Sequence, residues 1–482
     1  MLRCFALILA TIASLVSATT SPTTSTISAT TVAPIPAGFE DWAYSDVRPG
    51  SHMFWWFYSS TNYDIPRENI PLILWLQGGP GGSSIGYGDF TEFGPLDINL
   101  QPRNTTWIQV ANVIFLDQPV GTGWSYVDDP SLLVRNNSQI AIDVVSMLKD
   151  WFNQYPGFQS TPFFIFSESY GGKMTVGIAN ALLAAVDAGE IKTNFRGVAL
   201  GDSWISGVDS VLSWGPVLKT FSEMTEQELD VLNTEAVQPC AAACAAGNWS
   251  EAINQWGHAE GIIDNFSCVD FYNLLNENCD NLNENPPKYL TDTQLALADP
   301  GIKHDILQRL YARHVRRPLS DPVDDLMNGP IRIKLNAGPR GKVIPDNVTF
   351  GGGGDVFGAL SNDFMRPVLT DLDQLLSSGR INVTVYEGQL DLICSPYGAE
   401  LWMHKLQWAG MPGFYATKKT AYAAWPGAPT GAFRRSFINN GPGGDGGSLN
   451  LWNVLRAGHL LPMDNGDMAL RMVSTILDEQ SK

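Results

Sequence analysis

A serine, an aspartate and a histidine carry the chemistry most easily read from this chain. Ser169 stands in "SESYG", between the apolar run "PFFIF" (162–166) and a small-residue helical pattern that begins at Tyr170. A serine on a sharp strand-to-helix bend exposes its hydroxyl above a sheet, and small neighbours relieve the crowding of such a strained turn. The usual form is G-x-S-x-G, and Ser167 replaces its first glycine here. A serine hydroxyl attacks poorly until a base takes its proton, and the base needs a carboxylate to orient it. Asp391 follows the strand-like "INVTVYEG", and His459 lies in "RAGHLLP" before the last helical segment. The order Ser, Asp, His, each after a strand, is that of an α/β-hydrolase triad.

Acyl transfer also needs donors for a developing oxyanion. "LWLQGGPGGSS" (74–84) is a strand-like run ending in glycines, whose backbone N–H groups can point into a site. The N–H groups of Gly79 and of Tyr170, the residue after the serine, are the expected oxyanion hole. A phosphate loop would need a lysine or G-x-G-x-x-G spacing, and "GGPGG" has neither. The "GGGG" run at 351–354 is expected to be a flexible turn.

Positioning these residues calls for a particular scaffold. Apolar runs at 71–77, 112–118, 162–166 and 381–391 end abruptly in loops, and helical spacing appears at 139–156 and in "MALRMVSTIL". Buried strands alternating with helices predict an α/β-hydrolase fold: a mostly parallel central sheet with helices on both faces. The alternation lapses in 213–358, which reads as an inserted cap between core segments 41–212 and 359–482.

The N-terminus predicts a secretory route. Residues 1–18 have the charge, apolar run and small-residue end of a signal peptide, and 19–40 form a Ser/Thr/Pro-rich leader. Sequons stand at Asn104, Asn136, Asn248, Asn265, Asn347 and Asn382. In an oxidising compartment Cys240, Cys244, Cys268 and Cys279 predict two disulfides of open connectivity, with Cys394 apart. A net charge of −19 argues against a nucleic-acid partner, and no later segment reads as a membrane span.

The blocks "WLQGGPGGSS", "EFGPLDIN", "DQPVGTGWSY", "SESYGGKM", "YEGQLDLIC" and "RAGHLLP" together resemble the signatures of serine carboxypeptidases. With Gln77 and Gly82 in the first block, the chain is most similar to the branch containing retinoid-inducible serine carboxypeptidase. The resemblance implies that Ser169, Asp391 and His459 are the triad and that Gly79 and Tyr170 form the oxyanion hole. It implies that Gln77, Gly78, Glu92 and Glu168 bind the substrate's terminal carboxylate. Gln77 replaces the family's usual asparagine, Gly82 removes a common disulfide, and Cys394 matches a position that can carry a free thiol. The expected activity is release of C-terminal amino acids from peptides or proteins at acid pH, without metal or organic cofactor. The expected location is extracellular or vacuolar/lysosomal, and dimerisation is left open. Two alternatives remain: an acyltransferase using the same triad, or a non-catalytic protective or binding protein on the same scaffold.

Overall fold

The computed structural model describes residues 35–276, 310, 320–441 and 443–481. The expected signal peptide and most of the expected leader lie outside them. Ile35–Lys482 forms one compact unit. The strands are β1 (Glu40–Arg48), β2 (Ser51–Tyr58), β3 (Leu72–Leu76), β4 (Asn112–Leu116), β5 (Tyr126–Val127), β6 (Pro162–Glu168), β7 (Asn194–Gly201), β8 (Asn382–Gly388), β9 (Thr420–Ala423), β10 (Thr430–Ile438) and β11 (Ser448–Val454). They form one sheet in the order β1-β2-β4-β3-β6-β7-β8-β11-β10-β9, with β5 paired to β2. Every pair from β4 across to β11 is parallel, and the flanking pairs are antiparallel. The sheet is therefore mixed, parallel where the site is built.

The unbroken apolar runs follow from burial on both faces. In β3, Leu72, Leu74 and Leu76 enter one core while Ile73 and Trp75 enter the other. In β6, Phe163 and Ile165 face the first core, and Phe164 and Phe166 the second. Each such side chain contributes about 2 kcal/mol of transfer free energy. Helices α1 (Asn137–Gln154) and α2 (Tyr170–Asp187) supply the first core. The C-terminal helix Gly466–Gln480 and the π-helical segment Ser84–Phe93 supply the second. Helix α1 starts two residues before its expected limit because the Asn136 side chain caps it, accepting from Gln139 N.

Between β7 and β8 the described residues contain no strand. They hold α3 (Gly207–Phe221), α4 (Glu226–Leu232), α5 (Gln238–Ala245) and α6 (Trp249–Phe266), then Gly353–Phe364 and Leu369–Ser377. The expected cap limits, 213 and 358, fall inside the helices Gly207–Phe221 and Gly353–Phe364. The loss of strand-like pattern thus marks the end of the sheet, not the end of a helix that straddles both parts. The "GGGG" run is not a free turn: a helix begins at Gly353. A Cβ on Gly81 would strike the backbone of Gly353, so these two glycines let the loop after β3 approach that helix. No described helix is long and apolar enough to cross a membrane.

Candidate active site

Ser169 sits where β6 meets α2, with φ 62° and ψ −131°. A non-glycine residue there is strained by roughly 1–3 kcal/mol and must be held in place. Three backbone bonds hold it: Ser169 N donates to Gly201 O at 2.9 Å, and Ser169 O accepts from Trp204 N at 2.9 Å and Gly172 N at 3.0 Å. The crowding is severe. A Cβ on Gly78 would overlap Ser169 Cβ and lie 2.8 Å from both Glu168 O and Tyr170 N. The loop after β3 therefore passes directly over the turn, bringing Gly78 and Gly79 beside the Tyr170 N–H.

Asp391 follows β8 and His459 follows β11, so all three residues lie at the carboxyl edge of the parallel strands. His459 Nδ1 and Asp391 Oδ2 are 2.7 Å apart, with both residues at most 2% exposed. Asp391 Oδ1 accepts from Cys394 N at 3.1 Å. A carboxylate that only accepts assigns the proton to Nδ1, which leaves the Nε2 lone pair as the base. A short strap from the segment after α6 joins both loops. Phe271 O accepts from Leu392 N and Ile393 N, Leu274 N donates to Leu390 O, and Tyr272 O accepts from His459 N at 2.7 Å. The Tyr272 ring meets the imidazole edge to face at 4.8 Å.

Glu92 and Glu168 are fully buried. Gln77 Nε2 donates to Glu168 Oε1 at 2.8 Å, and Trp75 Nε1 donates to Gln77 Oε1 at 2.9 Å, which fixes the amide's orientation. Two ionised carboxylates only accept, so the contact between Glu92 and Glu168 becomes a hydrogen bond only when one is protonated. Burial raises Glu92 to about 7 against lowering by Glu168, Gln77 and Arg103. Burial and the charge of Glu92 push Glu168 well above the usual carboxylate range. The pair keeps a proton that two solvated glutamates would have released.

The serine carboxypeptidase family model matches residues 34–479. The chain belongs to the serine carboxypeptidase family. It is 44% identical over 448 residues to the retinoid-inducible serine carboxypeptidase of Mus musculus, covering 92% of this chain and 93% of the relative. It is 39% identical over 453 residues to serine carboxypeptidase-like 51 of Arabidopsis thaliana, covering 91% and 92%. A prohormone-processing carboxypeptidase of Saccharomyces cerevisiae shares the fold, with a TM-score of 0.71, 20% identity and 91% of each chain covered.

In this serine carboxypeptidase the expected cysteine pairing needs correction. Cys240 and Cys244 are free thiols, and Cys268 is in a disulfide whose partner lies outside the described residues, as does Cys279. Cys240 and Cys244 are four apart on α5. Helical Cβ atoms at that spacing are about 5–6 Å apart, beyond the roughly 3.5–4.5 Å of a disulfide. Cys394 is also a free, buried thiol. Asp391, Cys394 and His459 are the described residues whose potential ligand atoms cluster, within 4.8 Å. They suit a metal poorly: Nδ1 is spent on Asp391, and burial and Asp391 push the thiol well above its usual range.

The sequons divide as well. Asn104, Asn136, Asn248, Asn265 and Asn347 are exposed. Asn382 is half-buried at the start of β8, where its amide donates to Arg196 O and accepts from Ser448 Oγ. That amide is committed to the sheet and is not a glycan acceptor site. Sequence reasoning also missed Tyr272, which sits in a stretch without periodicity. It missed the buried pair Lys173–Asp363 at 3.0 Å, whose aspartate accepts from Tyr170 Oη at 2.9 Å. "GGKM" gave a helix but no sign that its lysine points inward.

Proposed function

We propose that Ser169, Asp391 and His459 perform the carboxypeptidase reaction, and that Gln77, Gly78, Glu92 and Glu168 select a free C-terminus at acid pH. The Asp391–His459 bond beside the strained Ser169 turn carries this reading. His459 Nε2 takes the Ser169 proton as Oγ attacks the last peptide carbonyl. The Gly79 and Tyr170 N–H groups stabilise the oxyanion, and the leaving amino acid takes the proton from His459. Water then hydrolyses the acyl-enzyme by the same steps.

The substrate's terminal carboxylate is the third acid in a cleft already holding Glu92 and Glu168. Three like charges there would repel strongly, so binding uses the proton the pair retains, donated as a hydrogen bond. Gln77, oriented by Trp75, tunes the pair through Glu168. The exposed sequons support a secretory-route enzyme, extracellular or vacuolar/lysosomal.

The test combines Ser169→Ala with a fluorophosphonate probe and peptide substrates. Wild type should be labelled and release C-terminal residues. The variant should lose labelling and at least about 10⁴-fold in kcat. Transfer of the acyl group to added alcohols in place of its hydrolysis by water would favour the acyltransferase reading, and near-normal hydrolysis by the variant would defeat the mechanism.

A further inference from the structure

Two buried acids beside the site take no part in this mechanism. Asp202, in the turn after β7, is fully buried with φ 41°. Its N donates to Tyr386 O at 2.8 Å, and its Oδ1 accepts from Gly388 N at 2.6 Å. The neighbours of Asp202 grip the nucleophile, since Gly201 O accepts from Ser169 N and Trp204 N donates to Ser169 O. Gly388 O in turn accepts from Asp391 N at 3.2 Å. One carboxyl thus stands between the nucleophile turn and the acid turn. Next to Gly388, Glu387 is 1% exposed. Neither of its oxygens has a hydrogen-bond partner, and neither has Asp202 Oδ2.

The groups facing this pair are acids or weak acids. Asp391 and Cys394 approach from the turn after β8, Glu168 from the end of β6, and Tyr386 from β8 itself. His459 is bonded to Asp391. Among the described residues neither Asp202 nor Glu387 forms an ion pair. Asp391 has both oxygens engaged, one by Cys394 N and one by the His459 imidazole. Two further charges in the same dry volume would be unpaired and mutually repelling. Burial, then the charge of Asp391, pushes both acids well above the carboxylate range.

We propose that Asp202 and Glu387 form a second acid pair that works protonated, in which Asp202 fastens the nucleophile turn to the turn of the triad acid. Both are positioning residues. In the neutral form Asp202 Oδ1 still accepts from Gly388 N without placing a charge beside Asp391. Ionisation adds a further negative charge beside Asp391, which repels it across the turns that Asp202 joins. It also leaves a buried charge that the turn must rearrange to solvate. The pair therefore sets an alkaline limit on acylation by any substrate, with or without a free carboxylate. This rests on the Ser169 reading above.

The experiment measures the pH dependence of fluorophosphonate labelling of the full chain, with a probe that carries no carboxylate and so bypasses Glu92 and Glu168. Wild-type labelling should rise along an acid limb and fall at alkaline pH. Asp202→Asn and Glu387→Gln, permanently neutral, should each move the alkaline fall up by about one unit or more while the acid limb keeps its place. Asp202→Ala lacks the acceptor for Gly388 N and should label about tenfold or more slowly at every pH, with Asp202→Asn rescuing the rate. If Asp202→Ala fails to fold, the two amide variants carry the test. The proposal is overturned if wild type shows no alkaline fall, or if neither amide variant shifts it. It is also overturned if neutralisation moves the acid limb down by about one unit, which would mean the pair is charged in the working enzyme. An unlabelled wild type overturns the Ser169 reading together with this proposal, whereas a labelled wild type with unshifted variants overturns this proposal alone.

Discussion

Recognition of a free C-terminus by a proton held between Glu92 and Glu168 makes a quantitative demand on pH. Glu92 is raised from 4.5 to about 7 by burial. That difference corresponds to about 3 kcal/mol of preference for the protonated form, at about 1.36 kcal/mol per pH unit. Below about pH 6 the pair donates to the substrate carboxylate, and as Glu92 ionises above about pH 7 the one proton left on Glu168 is engaged by Glu92, so each further unit removes roughly tenfold of the donor form. The assay compares kcat/KM for a peptide acid with that for the same peptide blocked as an amide or ester. Their ratio cancels every effect on the triad, including any from Asp202 and Glu387. It should fall about tenfold per unit above about pH 7. Glu168→Gln should flatten the fall, because its amide donates at every pH. Glu92→Gln with Glu168→Gln should remove it, because no titrating group then faces the carboxylate. A ratio independent of pH in wild type, or the same fall in the double variant, would refute the reasoning.

Three more outcomes follow from the same geometry. Folding should be more stable in acid: Asp117, Glu92 and Asp89 are raised by burial to about 6, 7 and 8. The folded state binds protons that the unfolded chain releases, so this stability is full below the ordinary carboxylate values and is lost as pH rises through 6 to 8; Tm should fall steadily over that window, and a rising Tm would contradict it. Gly78→Ala puts a methyl group into Ser169 Cβ and should lower Tm and reduce labelling by about 10²-fold or more, whereas wild-type labelling in a well-folded variant would show that the loop gives way. Alkylation after unfolding without reductant should modify Cys240, Cys244 and Cys394 and spare Cys268; protection of Cys240 or Cys244 would contradict the free thiols.

The parts legible in the sequence were those whose physics is local. Strands buried on both faces must be apolar throughout, so β3, β4 and β6 were visible as runs ending in loops. The Ser169 turn declared itself because a strained residue needs small neighbours, and those are written next to it. Long-range placement was not legible. Cys240 and Cys244 looked like disulfide members until the helix set their spacing, and Asn382 looked like a glycan site until β8 enclosed it. Asp202 and Glu387 lie in strand-end positions where an acid ordinarily caps or meets solvent. Only the packing of β7 against β8 shows that both are sealed in.

The strap Phe271–Leu274 carries a lesson for anyone recombining parts of this enzyme. It comes from the segment that interrupts the sheet, yet its backbone clasps the loops of both the acid and the base. The interrupting segment is thus a splint for the catalytic loops. Grafting a foreign version would exchange the clasp, and chimeras should lose turnover even where substrate still fits. Keeping residues 270–276 native and swapping only what surrounds them preserves the clasp, and makes the choice of crossover point a matter of catalytic alignment.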